Sequence, residues 1–214
     1  MALNKRFLAL FAAISIMLGT PKVLAPKALG LVKLDPGSID MAIRYGLENQ
    51  GMGLYNILGP NWIEGPEGWL LNVYSPFMLI ATQASKKHLP RKPSDKDMKL
   101  ARKRMARILS RLQDPHEPQK IKFSISMLGD RPDFAEHYAA RIEGVGRGRV
   151  AEVRPLEDYQ DKLARDAGTG GMYEAVNTYY FKYADLENFD VYDLVLYNPD
   201  GHEVRFKINN KHIY

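Results

Sequence analysis

The stretch Lys120-Ile121-Lys122-Phe123-Ser124-Ile125-Ser126-Met127 decides the fold. Ile121, Phe123, Ile125 and Met127 alternate with Lys122, Ser124 and Ser126, so an extended chain puts the first set on one side and the second on the other, as a half-buried strand requires. Before residue 115 the apolar residues recur instead every three or four positions, the helical period. A helical half followed by a β half is the predicted organisation: α+β, with residues 31–115 helical and residues 119–214 an antiparallel β-sandwich-like or curved-sheet domain containing one helix.

Working outward from that strand, the β half ends in a hairpin. The apolar runs 191–197 and 202–209 flank Asn198-Pro199-Asp200-Gly201, where proline pre-sets the first turn angle and glycine takes the left-handed one. Residues 174–183, rich in Val, Thr, Tyr and Phe, favour extended structure. Residues 136–143 and 149–154 read as strands around the glycine turn 144–148, and residues 156–167 read as one helix ended by Gly168.

In the helical half, Ser38 is the expected cap of a short helix whose face is Ile39, Ala42, Ile43, Gly46 and Leu47. A long Gly/Pro loop follows, then an extended stretch at 69–74 and a helix opened by Ser75-Pro76. Ser94-Asp95-Lys96-Asp97 matches a capping box in its acidic variant and opens a basic amphipathic helix. Met98, Ala101, Met105, Ile108 and Leu112 form its apolar stripe, while Lys99, Lys103, Arg107 and Arg111 recur on another face. Asp114-Pro115 and Glu117-Pro118 end it.

The chain has 214 residues, 45% hydrophobic and 26% charged, with no cysteine. Such a composition is globular and excludes disulfide scaffolds and cysteine-held zinc or iron–sulfur sites. Residues 1–30 read as a secretory leader: Lys5 and Arg6 precede the apolar run FLALFAAISIML at 7–18, which is short for a membrane span of roughly 20 residues. Export to a periplasm or cell surface is therefore expected, with processing after Ala25 or Gly30 and no lipoprotein anchor, since that linkage needs a cysteine.

The formal charge of +5 is concentrated in two places. The leader contributes +4 and residues 86–111 hold eleven Lys or Arg against Asp95 and Asp97, so the remainder of the chain is acidic by −8. Generic nucleic-acid binding is not expected of such a chain.

No catalytic signature emerges. There is no Gly-x-Ser-x-Gly elbow, and a Ser–His–Asp set would have to assemble from distant positions such as Ser124 and His137. The five histidines show no metal-ligand spacing, and Asp185, Glu187, Asp190 and Asp193 lack that of a calcium loop. Gly144-x-Gly146-x-Gly148 lacks the Gly-Lys-Ser/Thr ending of a phosphate loop. No cofactor or metal is expected.

Two surfaces remain. Trp62 and Trp69 fall in one Gly/Pro loop, 59–69, where indoles either stack on a sugar or lipid headgroup or anchor the loop to the core. Lys99, Lys103, Arg107 and Arg111 offer an anionic partner a cationic row, or dock on the chain's own acidic part. The functional expectation is an exported, envelope-associated binding or assembly protein whose partner is an anionic envelope polymer, a lipid headgroup or another envelope protein. The alternative is a cell-envelope hydrolase using carboxylates or a bound metal.

Overall fold

In a computed structural model, residues 34–146, 149–168 and 171–213 are described, and the expected leader at residues 1–30 lies outside them. N-terminal helices precede two antiparallel sheets that face each other like a sandwich. Helix α1 (Pro36–Glu48) is followed by α2 (Leu54–Leu58), strands β1 (Trp62–Glu64) and β2 (Leu70–Tyr74), then α3 (Pro76–Ala84), α4 (Asp95–Arg104) and α5 (Ala106–Leu112). The C-terminal half adds β3 (Lys120–Gly129), β4 (Ala139–Gly146), β5 (Arg149–Val153), β6 (Glu157–Tyr159), β7 (Arg165–Asp166), β8 (Tyr173–Lys182), α6 (Tyr183–Leu186), β9 (Phe189–Tyr197) and β10 (Glu203–Asn209). Among the described residues no helix is long and apolar enough to cross a membrane.

Sheet 1 runs β1-β2-β3-β8-β6, with β7 also on β8, and sheet 2 runs β10-β9-β4-β5. The alternation in β3 works as its sequence requires: Ile121, Phe123, Ile125 and Met127 are buried and face sheet 2, where Ile142, Leu194, Phe206 and Ile208 close the core. Phe123 and Phe181 meet edge to face at 5.3 Å, a geometry that suits the quadrupoles of two rings. Sheet 1 takes its first two strands from the segment before residue 115: β2 pairs with β3 from Leu70↔Ser126 to Tyr74↔Lys122. The helices form a second core around Ile43, Leu47, Phe77, Met78 and Ala81, against which Trp62 and Tyr74 pack from the outer face of sheet 1. Gly46 allows α1 to lie against α3, because a Cβ there would run into the Ala81 carbonyl.

Local readings fail where longer-range pairing takes over. Ser38 is not the cap of α1: Asp35 is, and Ser38 closes the reciprocal box, with Ser38 N donating to Asp35 Oδ1 at 2.7 Å and Asp35 N to Ser38 Oγ at 2.8 Å. Residues 156–167 do not form a helix. β8 presents a row of backbone groups that need partners, and this segment supplies them: Leu156 N donates to Tyr180 O at 2.7 Å, Glu157 pairs with Tyr180, and Arg165 with Glu174. Gly144 lies inside β4 rather than in a turn, and a Cβ there would come within 2.9 Å of Phe189.

The core holds several phenols. Burial pushes Tyr183 up to about 12 and drives Tyr179 and Tyr192 higher still. An unfolded tyrosine ionises near about 10, so the native state is disfavoured once the pH passes that value. This stability is fully present below about pH 10 and lost as the pH climbs toward the raised native values. Urea midpoints measured from neutral pH upward are expected to fall steeply above about pH 10, with phenolate absorbance of these tyrosines rising only as the protein unfolds.

Candidate functional site

The tryptophan loop is built into the sandwich. Trp69 is 2% exposed, packs in the core and donates its indole N–H to Leu128 O at 3.2 Å. The expectation of a stacking surface at Trp69 is therefore corrected, because its ring has no free face. Trp62 is half-buried against the helical core and meets Tyr55 edge-on at 5.5 Å. The two indoles thus serve different cores, one on each side of sheet 1.

Between them the chain makes a turn, Pro66-Glu67-Gly68, in which Gly65 N donates to Trp69 O at 2.8 Å. Gly65 lies against the Phe206 ring, where a side chain would collide. Glu67 takes φ 61° and ψ 12°, a left-handed conformation that costs a non-glycine residue about 1–2 kcal/mol. That backbone carries its carboxylate to the β9–β10 hairpin: Glu67 Oε1 is 2.7 Å from His202 Nε2, and His202 Nδ1 is 2.6 Å from the Tyr138 hydroxyl. A carboxylate only accepts, so Nε2 carries the proton and Nδ1 accepts from Tyr138 in the neutral ring. Burial, followed by the nearby charges of Glu67 and Asp200, raises the Tyr138 pKa.

A carboxylate–imidazole–phenol chain is able to relay a proton. Here, however, the phenol residue is 5% exposed, with Trp69 edge-on to it at 5.3 Å. The chain ties the turn of sheet 1 to the hairpin of sheet 2, as a clasp at one end of the sandwich. In the sequence His202 is one of five histidines without metal-ligand spacing, and neither Glu67 nor Tyr138 stands out. The one local signal was a glutamate between proline and glycine in a tryptophan-bearing loop.

The other proposed residues are placed apart. Ser124 lies on the outer face of sheet 1 between Asn72 and Thr178, whereas His137 is exposed beside Glu136 at 4.0 Å. Among the described residues no group of three or more His, Cys, Asp or Glu could hold a metal. Asp190 instead pairs with Lys211 at 3.3 Å and Asp193 with Arg205 at 3.6 Å.

The basic segment is two helices. Ser94 and Asp97 form the expected capping box, but the helix breaks at Met105 (φ −106°, ψ 5°) and resumes as α5. Met98, Ala101 and Met105 are buried as expected; beyond the break Leu109 takes the buried position, and Ile108 and Leu112 are half-buried. Arg102 pairs with Asp40 at 2.8 Å and fastens α4 to α1, and Arg104 donates to Lys87 O at 2.9 Å. Lys99, Lys103, Arg107 and Arg111 are all exposed, with no side-chain hydrogen bond or ion pair to any described residue. Among the described residues no acid of the same chain pairs with them.

Two arginines of sheet 2 are answered within the fold. On the outer face of sheet 2, Arg141 pairs with Glu143 at 2.5 Å and Glu203 at 2.9 Å, and Arg205 pairs with Glu143 at 2.7 Å and Glu203 at 2.6 Å. The hydrogen bonds from these arginines hold Glu143 and Glu203 below the usual carboxylate range.

No family model matches the chain, and neither does any curated protein or solved structure.

Two stability measurements follow. Trp69→Ala should cost about 3–5 kcal/mol in urea unfolding, the range of buried aromatic deletions, and Trp62→Ala distinctly less. Tyr138→Phe should cost about 1 kcal/mol, the net worth of one hydrogen bond, with the loss shrinking in a His202→Ala background.

Proposed function

We propose that the chain is an exported, envelope-associated binding or assembly protein that holds an anionic polymer along α4 and α5. The observation that carries this reading is the contrast between two sets of cations. Arg141, Arg205 and Arg102 are neutralised inside the fold, whereas Lys99, Lys103, Arg107 and Arg111 stand exposed and unpaired among the described residues. Folding does not use these four charges, and their mutual repulsion works against it.

A lipid surface is the poorer partner. An in-plane amphipathic helix needs a free apolar face to sink into the headgroup region. The apolar side of α4 and α5 is spent on the helical core, where Met98, Met105 and Leu109 are buried. Apart from Leu100, which is 38% exposed, the outward side is mostly charge, which suits a polyanion. The leader at residues 1–30 and the absence of cysteine support an envelope location without a lipid anchor.

The double variant Lys103→Glu with Arg107→Glu tests the reading. It should fold with a stability within about 0.5 kcal/mol of the parent, as exposed substitutions do. Its affinity for a polyuronate, measured by calorimetry at low salt, should fall at least about tenfold, and the salt dependence of binding should flatten. Unchanged binding would overturn the proposal. Expression of the tagged full chain in a bacterial host should yield a mature form beginning near residue 26 or 31, and an intact Met1 in the cytosol would overturn the location.

A further inference from the structure

The two outer sheet faces differ in kind. That of sheet 2 is closed by its arginine–glutamate network. On sheet 1 the register sets two rows across the strands: Tyr74, Lys122, Tyr180 and Glu157 in one, and Trp62, Asn72, Ser124, Thr178 and Tyr159 in the next. The helices cover the Trp62 and Tyr74 end. The far end is uncovered: Tyr159 is 60% exposed and Val176 40%.

Lys122 occupies the middle of this face, half-buried, with its ammonium 5.2 Å from the centre of the Tyr74 ring. No acid answers it among the described residues, although Lys120, two positions earlier on the same strand, is held by Glu157 at 2.5 Å. Desolvation lowers the Lys122 pKa, the sign of an ammonium whose water has been removed without an anion to replace it. Asn72, one register step away and 6% exposed, has an Oδ1 with no donor. Tyr180 and Tyr159 meet edge to face at 5.9 Å, so the contact occupies one face of one ring and leaves the other ring faces unstacked by it.

Resting on the reading that α4 and α5 hold an anionic polymer, we infer that the uncovered outer face of sheet 1 recognises that polymer as an acidic polysaccharide, with a uronate carboxylate on Lys122 and sugar rings against Tyr180 and Tyr159. Lysine meets the anion as a point charge, and aromatic faces suit the C–H faces of pyranose rings. The helix row then supplies general attraction, and the sheet supplies selectivity for a ring-bearing anion. A phosphate polymer would satisfy the cations but leave both tyrosines unused.

The experiment uses the full chain with oligogalacturonate, its methyl ester, polyphosphate of matched charge and a single-stranded oligonucleotide, each titrated by calorimetry. Lys122→Met, Lys122→Arg, Tyr159→Ala and the double variant Lys103→Glu with Arg107→Glu are compared, with near-UV circular dichroism showing that each is folded. Oligogalacturonate is expected to bind best and the ester at least tenfold more weakly. Lys122→Met should lose about tenfold, Lys122→Arg should restore most of it, and Tyr159→Ala should weaken oligogalacturonate but leave polyphosphate unchanged.

Retained oligogalacturonate binding in both Lys122→Met and Tyr159→Ala, with loss in the double variant, would overturn the sheet site and leave the helix reading standing. Loss in Lys122→Met with none in the double variant would support the sheet site and overturn the helix reading. Equal affinity for polyphosphate would overturn the saccharide assignment, as would tighter, Tyr159-dependent binding of the oligonucleotide. No binding of oligogalacturonate at all would overturn it too.

Discussion

Strand β3 must keep one register, because its two sides do different work. It is paired along its length with β8 and along half of it with β2, so it carries both the sandwich core and the outer face of sheet 1. A slip of one residue would send Lys122, Ser124 and Ser126 inward and expose Ile121, Phe123 and Ile125, exchanging every buried side chain for a polar one. The inward positions hold sheet 2 in place through Phe123, Phe181 and their neighbours. The outward ones receive the helical layer through Tyr74 and Trp62. Both cores therefore depend on the same ten residues, although most of the helical core lies far from them in sequence.

Charge is handled differently on each surface. Sheet 2 turns four oppositely charged side chains into a closed set, which satisfies hydrogen bonds but leaves little field outside. Exposed pairs of this kind contribute only about 0–1 kcal/mol each, so their main consequence is that the face is neutral. On α4 and α5 the reverse holds, since Arg102 and Arg104 are used to fasten the helix while Lys99, Lys103, Arg107 and Arg111 are left to solvent. Among the described residues no acid is brought to meet them.

Short-range features were legible. The β9–β10 hairpin turns at Gly201 with φ 82°, as Asn198-Pro199-Asp200-Gly201 demands, and the capping box at Ser94 and Asp97 is present in both directions. These depend on neighbours within a few residues, so periodicity and turn chemistry suffice. Residues 156–167 show the opposite case. Their composition suits a helix, but intrinsic propensity amounts to less than about 1 kcal/mol per residue and yields to an unsatisfied strand edge. The break at Met105 was also hidden, because the apolar spacing runs through it.

The sequence by itself determined that a helical part precedes the antiparallel strands, which face of β3 turns inward and which cations of α4 and α5 stay in water, since each follows from local periodicity and from which side chains water excludes. Tertiary structure alone decided the rest. Only the folding of both halves onto sheet 1 puts Trp69 in one core and Trp62 against the other. Only that fold joins Glu67 to His202 across 135 positions and His202 to Tyr138 across 64. Such contacts leave no periodic trace in the chain, because they are set by which strands become neighbours, and that is settled by burying the two cores together.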